Sequence, residues 1–218
     1  MISLLHPSRG RAQKSFNNAK EWMDMAGCKT ELILSIDDND PAKEEYKKLY
    51  EDSFPYQEET FFCIDDNSCL VEATNKAARV SEGDILVYLS DDFKCYPNWG
   101  IDVMKEFEGE TRPLLIKVDD CLQKFDIAVL TIPMMNRVLY NMLGYFFHPE
   151  YKSMSVDEDL FWTCQSINAI KMCPHLKFSH EHCSVGKCEN DETYKRSAAN
   201  WDQGREVFTR RKLAGFPI

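Results

Sequence analysis

Apolar runs and polar breaks alternate regularly through the first 92 residues. Ile2-Ser3-Leu4-Leu5, Glu31-Leu32-Ile33-Leu34-Ser35-Ile36, Thr60-Phe61-Phe62-Cys63-Ile64 and Asp84-Ile85-Leu86-Val87-Tyr88-Leu89 are short runs bounded by Gly, Pro, Asp or Asn. That is the pattern of buried strands. Between them the apolar spacing becomes helical. Phe16, Ala19, Met23 and Ala26 share one face of a helix predicted from about Ala12 to Ala26 and stopped by Gly27. Pro41 to Tyr50 reads as an exposed helix, and Ser68 is placed to cap a third that runs to about Val80. Strand and helix alternating in this way predict an α/β fold: a Rossmann-like central sheet, mostly parallel, flanked by helices.

Beyond residue 92 the pattern is less regular. Leu114–Val118 and Ile127–Thr131 read as strands, and Pro133–Leu143 as a helix opened by its proline. Ser155-Val156-Asp157-Glu158 fits a capping box for a helix to about Ile170, and Ala198–Lys212 a final helix. Cys173 to Tyr194, rich in His, Cys, Gly and Asp, is expected to be a loop.

Each early strand ends in polar groups: His6 to Arg11, Asp37 to Asp40, Asp65 to Asn67, and Ser90 to Asp92. Ligands of open α/β sheets collect beyond the carboxyl ends of the strands. Asp91 and Asp92 can hold a hard divalent cation by oxygen, and such a cation usually carries phosphates. Arg9 or Arg11, in a turn fixed by Pro7 and loosened by Gly10, suits a phosphate. The carboxylates of Asp37 and Asp38 can accept bonds from a base N–H or a ribose hydroxyl.

Composition narrows the partners. The 218 residues are 44% hydrophobic and 28% charged, and the net charge of −10 argues against a broad basic surface for nucleic acid or anionic membrane. No apolar run is long enough to span a membrane, and no signal peptide is visible. Nine cysteines at irregular spacing fit a reduced, cytoplasmic setting better than a disulfide framework. Lys187, Lys195, Arg196, Arg205, Arg210 and Arg211 make the C-terminal region locally basic, and Ser184–Tyr194 reads as a lid.

Taken together, Ile2–Arg11, Ser35-Ile36-Asp37-Asp38, Asn75-Lys76-Ala77 and Gly83–Leu86 leading into Leu89-Ser90-Asp91-Asp92 resemble the nucleotide-sugar half of family 2 glycosyltransferases with the GT-A fold. The likeness continues through Val156-Asp157-Glu158-Asp159-Leu160 and Phe178-Ser179-His180-Glu181-His182. It implies one domain over residues 1–218, with 1–92 binding the nucleotide-sugar and 93–218 binding the acceptor beneath a C-terminal lid. Asp92 would be the last acid of the metal-binding motif, with Asp91 on the ribose or the metal's water shell. Ser90 stands where many members carry a further acid. Pro7, Ser8, Arg9 and Arg11 would line the base or phosphate, Asp37 or Asp38 the nucleoside, and Asn75 the nucleoside side of the helix before the metal strand. Lys187 would reach the diphosphate from the lid.

The resemblance also implies a catalytic base among Asp157, Glu158 and Asp159. Asp159 is the first choice and Asp157 the fallback, while Glu158 also fits the helix cap. His180 or His182, on one side of an extended segment, would complete the metal site with Asp92, His180 being preferred. Imidazole with carboxylates and phosphate oxygens suits Mn²⁺ or Mg²⁺. The implied activity is transfer of a sugar from a nucleotide-sugar, UDP-linked by preference, to an acceptor hydroxyl of a glycan, a protein or a modified DNA base. The location is cytoplasmic, a host cytoplasm if the gene is viral.

Two other readings stay open at this stage. A nucleotidyltransferase would share the strand-end acids, but needs a glycine-rich loop with lysine after the first strand, of which Pro7–Arg11 is a poor version. A non-catalytic nucleotide- or zinc-binding module could use Cys173, His175, His180, His182, Cys183 and Cys188, at spacings that match no standard zinc site.

Overall fold

The computed structural model describes residues 1–52, 59–187 and 191–218. The four early runs become β1 (Ile2–Pro7), β2 (Thr30–Asp37), β3 (Thr60–Asp65) and β4 (Ile85–Tyr88), joined through α1 (Ala12–Met25), α2 (Lys43–Glu51) and α3 (Leu70–Val80). After them come β5 (Phe93–Lys94), α4 (Trp99–Phe107), β6 (Leu115–Asp119), β7 (Met134–Asn136), α5 (Arg137–Leu143) and α6 (Val156–Ser166). The chain ends with β8 (Ile170–Lys177), β9 (Ser179–His180), α7 (Glu192–Ala198) and α8 (Trp201–Leu213). Seven strands form one sheet in the order β3-β2-β1-β4-β7-β6-β8, and β5 and β9 form a two-stranded sheet beside it. All pairings in the large sheet are parallel except the two made by β7.

The period-2 alternation sorts the strands' side chains into two cores. Ile2, Leu4, Leu34, Ile36 and Val87 pack beneath α1, α2 and α4, while Leu5, Ile33 and Leu86 face α3, α5 and α6. Burying each such aliphatic side chain contributes roughly 1.5–3 kcal/mol, so the central strands are the firmest part of the molecule. Gly83 is required at the foot of the sheet, where a Cβ would lie 2.7 Å from the Ser3 nitrogen and 3.0 Å from the Met1 oxygen.

The second half departs from expectation at several places. Ile127–Thr131 is a loop, not a strand, because Lys117 is buried beneath it and takes its carbonyls. Lys117 Nζ donates to Ile127 O and, at 2.6 Å, to Val129 O. A buried ammonium must be bonded, so these carbonyls are withdrawn from any ladder. The Asp120 carboxylate holds the same loop through the Leu122 and Gln123 amides and the Thr131 hydroxyl. Pro133 does not open a helix. Met134 and Met135 are fully buried as β7, and α5 starts later, where Asn136 Oδ1 accepts from Leu139 N at 2.9 Å.

The capping signals also read differently in three dimensions. Ser155 precedes α6 in a left-handed conformation (φ 64°) without a side-chain cap bond, and Glu158 pairs with Arg205 at 2.7 Å. Ser68 donates to Glu72 rather than capping α3. The expected Cys173–Tyr194 loop contains most of β8, all of β9 and the start of α7. The unforeseen α4 buries Trp99, Val103 and Phe107 at i, i+4 and i+8.

The C-terminal helix α8 docks on the α6 side. A Cβ at Gly204 would lie 2.9 Å from the Met154 carbonyl carbon, so only glycine permits the approach, and Val207, Phe208 and Phe216 join the core there. The buried Arg211 carries its charge into this contact. Burial, reinforced by Arg211, pushes the nearby His148 imidazole down from 6.5 to about 4. Between those values the unfolded chain binds the proton and the folded protein does not, so stability falls as pH drops from 6.5 towards 4 and is unaffected by this group above that range. Urea unfolding measured across pH 4–7 should show this decline, of order 2 kcal/mol, and His148→Gln should flatten that component of it.

Candidate functional site

The carboxyl ends of β1, β2 and β4 meet in one cleft. Its floor and walls include Ser8, Arg9, Arg11, Asp37, Tyr88 and Asp91, with Ser68, Cys69 and Ala73 at the start of α3. The β1 strand delivers the first loop directly: Pro7 closes the strand and Ser8 N bonds Ser35 O at 3.0 Å. Arg9 then pairs with Asp37 and bonds Asn39 Oδ1 at 2.7 Å, which joins the first two strand-end clusters. Asp37 faces the cleft. Asp38 is exposed and absent from the cleft lining, its carbonyl accepting from Lys43 at 2.7 Å.

Asp91 and Asp92 are both buried, 5% and 4% exposed, and turned in different directions. Asp91 faces β1: its Oδ1 lies 2.8 Å from His6 Nε2, Ser8 Oγ donates to both its oxygens, and Arg11 stands 3.6 Å away. Asp92 faces β9. Its Oδ2 is 3.2 Å from His180 Nε2 and accepts from the Tyr194 hydroxyl at 2.6 Å. Burial works against the Asp92 charge, but the bonds from His180 and Tyr194 outweigh it and hold the carboxyl well below its usual range.

The pairing of Phe93 with His180, and the bond from Glu181 N to Asp92 O at 2.8 Å, fix the Asp92–His180 contact. An aromatic cluster anchors this small sheet. Trp22 stacks on Phe178 at 5.3 Å and meets Trp99 edge-on at 4.8 Å, while its Nε1 donates to Phe93 O at 3.2 Å.

The residues present suit a hard divalent cation. An ionised carboxylate only accepts, so His180 Nε2 carries the proton in its contact with Asp92. That leaves Asp92 Oδ1 and His180 Nδ1 as buried atoms without partners. His182 stands ring to ring with His180 at 5.0 Å, and burial lowers its pKa. Among the described residues no group of three or more His, Cys, Asp or Glu is arranged to hold a metal, so a cation here would need ligands from a bound substrate. A zinc site in the Cys/His tract does not form among those residues either. Cys173 and His175 lie on β8 and contact Glu106, and Cys188 is outside the described residues.

The far wall of the cleft is α7 with the residues around it. Asp191 grips Arg11 with two bonds of 2.7 and 2.6 Å, Tyr194 lies under the Arg11 guanidinium at 4.7 Å, and Arg196 comes within 3.8 Å of Asp37. The sequence reading placed Asp191, Thr193 and Tyr194 in a lid but gave none of them a partner, although Asp191 two residues before Thr193 carries an N-cap signal. Its Oδ1 accepts from Thr193 N and Tyr194 N. The expected Ser184–Tyr194 lid spans part of a short 3₁₀ turn over Cys183–Val185, a stretch that includes residues outside the description, and the start of α7.

No family model matches the sequence, and no curated protein aligns with it. Solved structures do match. The mannosyltransferase PcManGT from Pyrobaculum calidifontis, in complex with GDP-Man and Mn²⁺, superposes with a TM-score of 0.65 at 10% identity over 82% of this chain and 56% of its own. TarS 1–349 from S. aureus with UDP-GlcNAc gives 0.60 at 12% identity over 89% and 63%, and with UDP 0.58 at 11% over 82% and 59%. The fold is GT-A. The chain spans under two thirds of the length of these structures.

On this GT-A fold the expected residues divide. Pro7, Ser8, Arg9, Arg11, Asp37 and Asp91 line the cleft, with Asp92 and His180 paired beside it. Asn75 does not face it: its amide clasps the Phe146 and Phe147 amides and the Phe147 carbonyl, tying α3 to the segment after α5. Lys187 is exposed and absent from the cleft lining, within electrostatic reach of Cys121 instead.

The three acids of α6 have three separate surroundings. Asp159 is 1% exposed and held by Arg211 Nε at 2.7 Å and the Tyr151 hydroxyl at 2.9 Å. This overturns the preference for Asp159 as a base, because a carboxylate locked to a buried guanidinium is not free to take a substrate's proton. Asp157 has no cation bonded to it; burial raises its pKa, and its charge is felt by the cleft residue Tyr88. Asp159→Asn should cost about 3–5 kcal/mol in chemical denaturation by leaving Arg211 buried without a counter-charge. Asp157→Asn should stay within about 1 kcal/mol of the parent.

Proposed function

We propose that this protein transfers a sugar from a nucleotide-diphosphate donor, UDP-linked by preference, to an acceptor hydroxyl, with a divalent cation at Asp92 and His180. The observation that carries the reading is the Asp92–His180 pair, each with an unpartnered buried atom, linked to Arg11 through Tyr194 at the carboxyl edge of the sheet. The GDP-Man and Mn²⁺ of PcManGT and the UDP-GlcNAc of TarS support a nucleotide-sugar donor. Residues 1–92 would hold most of the donor, with His180 and the α7 residues completing its site, and the rest of 93–218 the acceptor.

Each side chain then has a defined task. Asp37 accepts from the nucleoside, and Arg11 forks onto the diphosphate. A bound cation supplies Lewis-acid stabilisation of the departing diphosphate. Asp157 takes the acceptor hydroxyl's proton as the new bond to the anomeric carbon forms and the bond to the diphosphate oxygen breaks. Its raised pKa suits this, since burial makes a carboxylate a stronger base than the start of a helix alone would allow. Among the described residues no helix is long and apolar enough to cross a membrane.

Thermal stabilisation by a panel of UDP- and GDP-sugars, with and without Mn²⁺, tests the reading. One UDP-sugar should give a metal-dependent shift that Asp92→Ala abolishes, whereas no shift with any donor would sink it. Asp157→Asn should retain donor binding and lose at least about a hundredfold in transfer rate, measured as release of the nucleoside diphosphate.

A further inference from the structure

We propose that Asp191 and Tyr194 form a latch in which protein groups stand in for the donor, Asp191 taking the place of the diphosphate on Arg11 and Tyr194 that of the cation on Asp92. The inference rests on the donor reading of the cleft. Arg11 is the most enclosed cation there, its side chain 9% exposed, and Asp191 holds it with the two parallel bonds that a phosphate would make. Two neighbours add to the contact: Thr193 Oγ1 donates to Arg9 O at 3.1 Å, and the Tyr194 hydroxyl occupies Asp92 Oδ2 at 2.6 Å.

The latch is built to be exchanged. The Asp191 side chain is 40% exposed, so water can take over its carboxylate when the two bonds to Arg11 are given up. A diphosphate brings more charge to the same fork, and a cation on Asp92 displaces the hydroxyl hydrogen that Tyr194 presents. Both ligands therefore bind against closure, so their apparent affinity is lowered by the fraction of molecules already open. Breaking the Asp191–Arg11 bonds need not unwind α7, because the capping oxygen, Oδ1, is bonded to Thr193 N and Tyr194 N within the segment itself.

Asp191→Asn keeps the cap and removes the charge, since Asn caps as well as Asp. In the full chain, it should bind inorganic pyrophosphate and UDP about five- to tenfold more tightly by calorimetry. Tyr194→Phe should bind Mn²⁺ a few-fold more tightly. In the ligand-free protein, both substitutions should accelerate amide exchange over Glu192–Ala198. Weaker or unchanged binding by the variants would make α7 a fixed wall and overturn the latch, as would unchanged exchange. Accelerated exchange with no binding of UDP or pyrophosphate by any variant would uphold the closing contact and overturn the donor reading instead.

Discussion

Two neighbouring carboxylates, Asp91 and Asp92, are almost fully removed from water, and the architecture around them answers that constraint. Adjacent charges of one sign in a poorly solvated place persist only if each finds its own donors. The chain separates them by turning one towards β1 and the other towards β9. His6, Ser8 and Arg11 serve the first, and His180 and Tyr194 the second. The first loop, the small second sheet and the C-terminal segment converge here because each supplies a donor.

The α6 acids show how position on a helix divides similar side chains. Successive residues advance by about 100° around the axis, so three acids in a row cannot share surroundings. Asp159 points inward to Arg211, Glu158 reaches Arg205, and Asp157 has no cation bonded to it, with Lys117 acting only at a distance. The first two fasten α8 to α6, and they leave the third fixed in place by a helix it does not itself hold.

The first half of the fold was legible because local pattern and final environment agree there. Strands buried on both faces are written as apolar runs, and their ends as polar clusters, so β1, β2 and β4 and the cleft residues Arg9, Arg11, Asp37 and Asp91 could be read directly, while the half-exposed edge strand β3 was legible from its run alone. The misreadings arose where a tertiary demand overrode the local signal. Lys117 took the carbonyls of an apolar run that looked like a strand, and Asn75 took backbone groups of a distant segment. Asp159 shows the same effect most sharply: its partner Arg211 is 52 residues away and nothing local announces it. The C-terminal segment was legible as a lid, but not its partners, because Asp191, Thr193 and Tyr194 have meaning only against Arg9, Arg11 and Asp92.

The span of these contacts has a consequence for how the protein acquires its site. His180 reaches Asp92 across 88 positions, Tyr194 across 102, and Asp191 meets Arg11 across 180. Contacts so distant close late, because the loop they complete must first be ordered. During synthesis the β1–β4 layer can emerge and collapse while Asp92 still lacks both of its donors. The nascent chain thus carries an unsatisfied acid at the rim of its first core until the final helices arrive. The cleft is the last region to mature, and an incomplete chain has its strands without its chemistry.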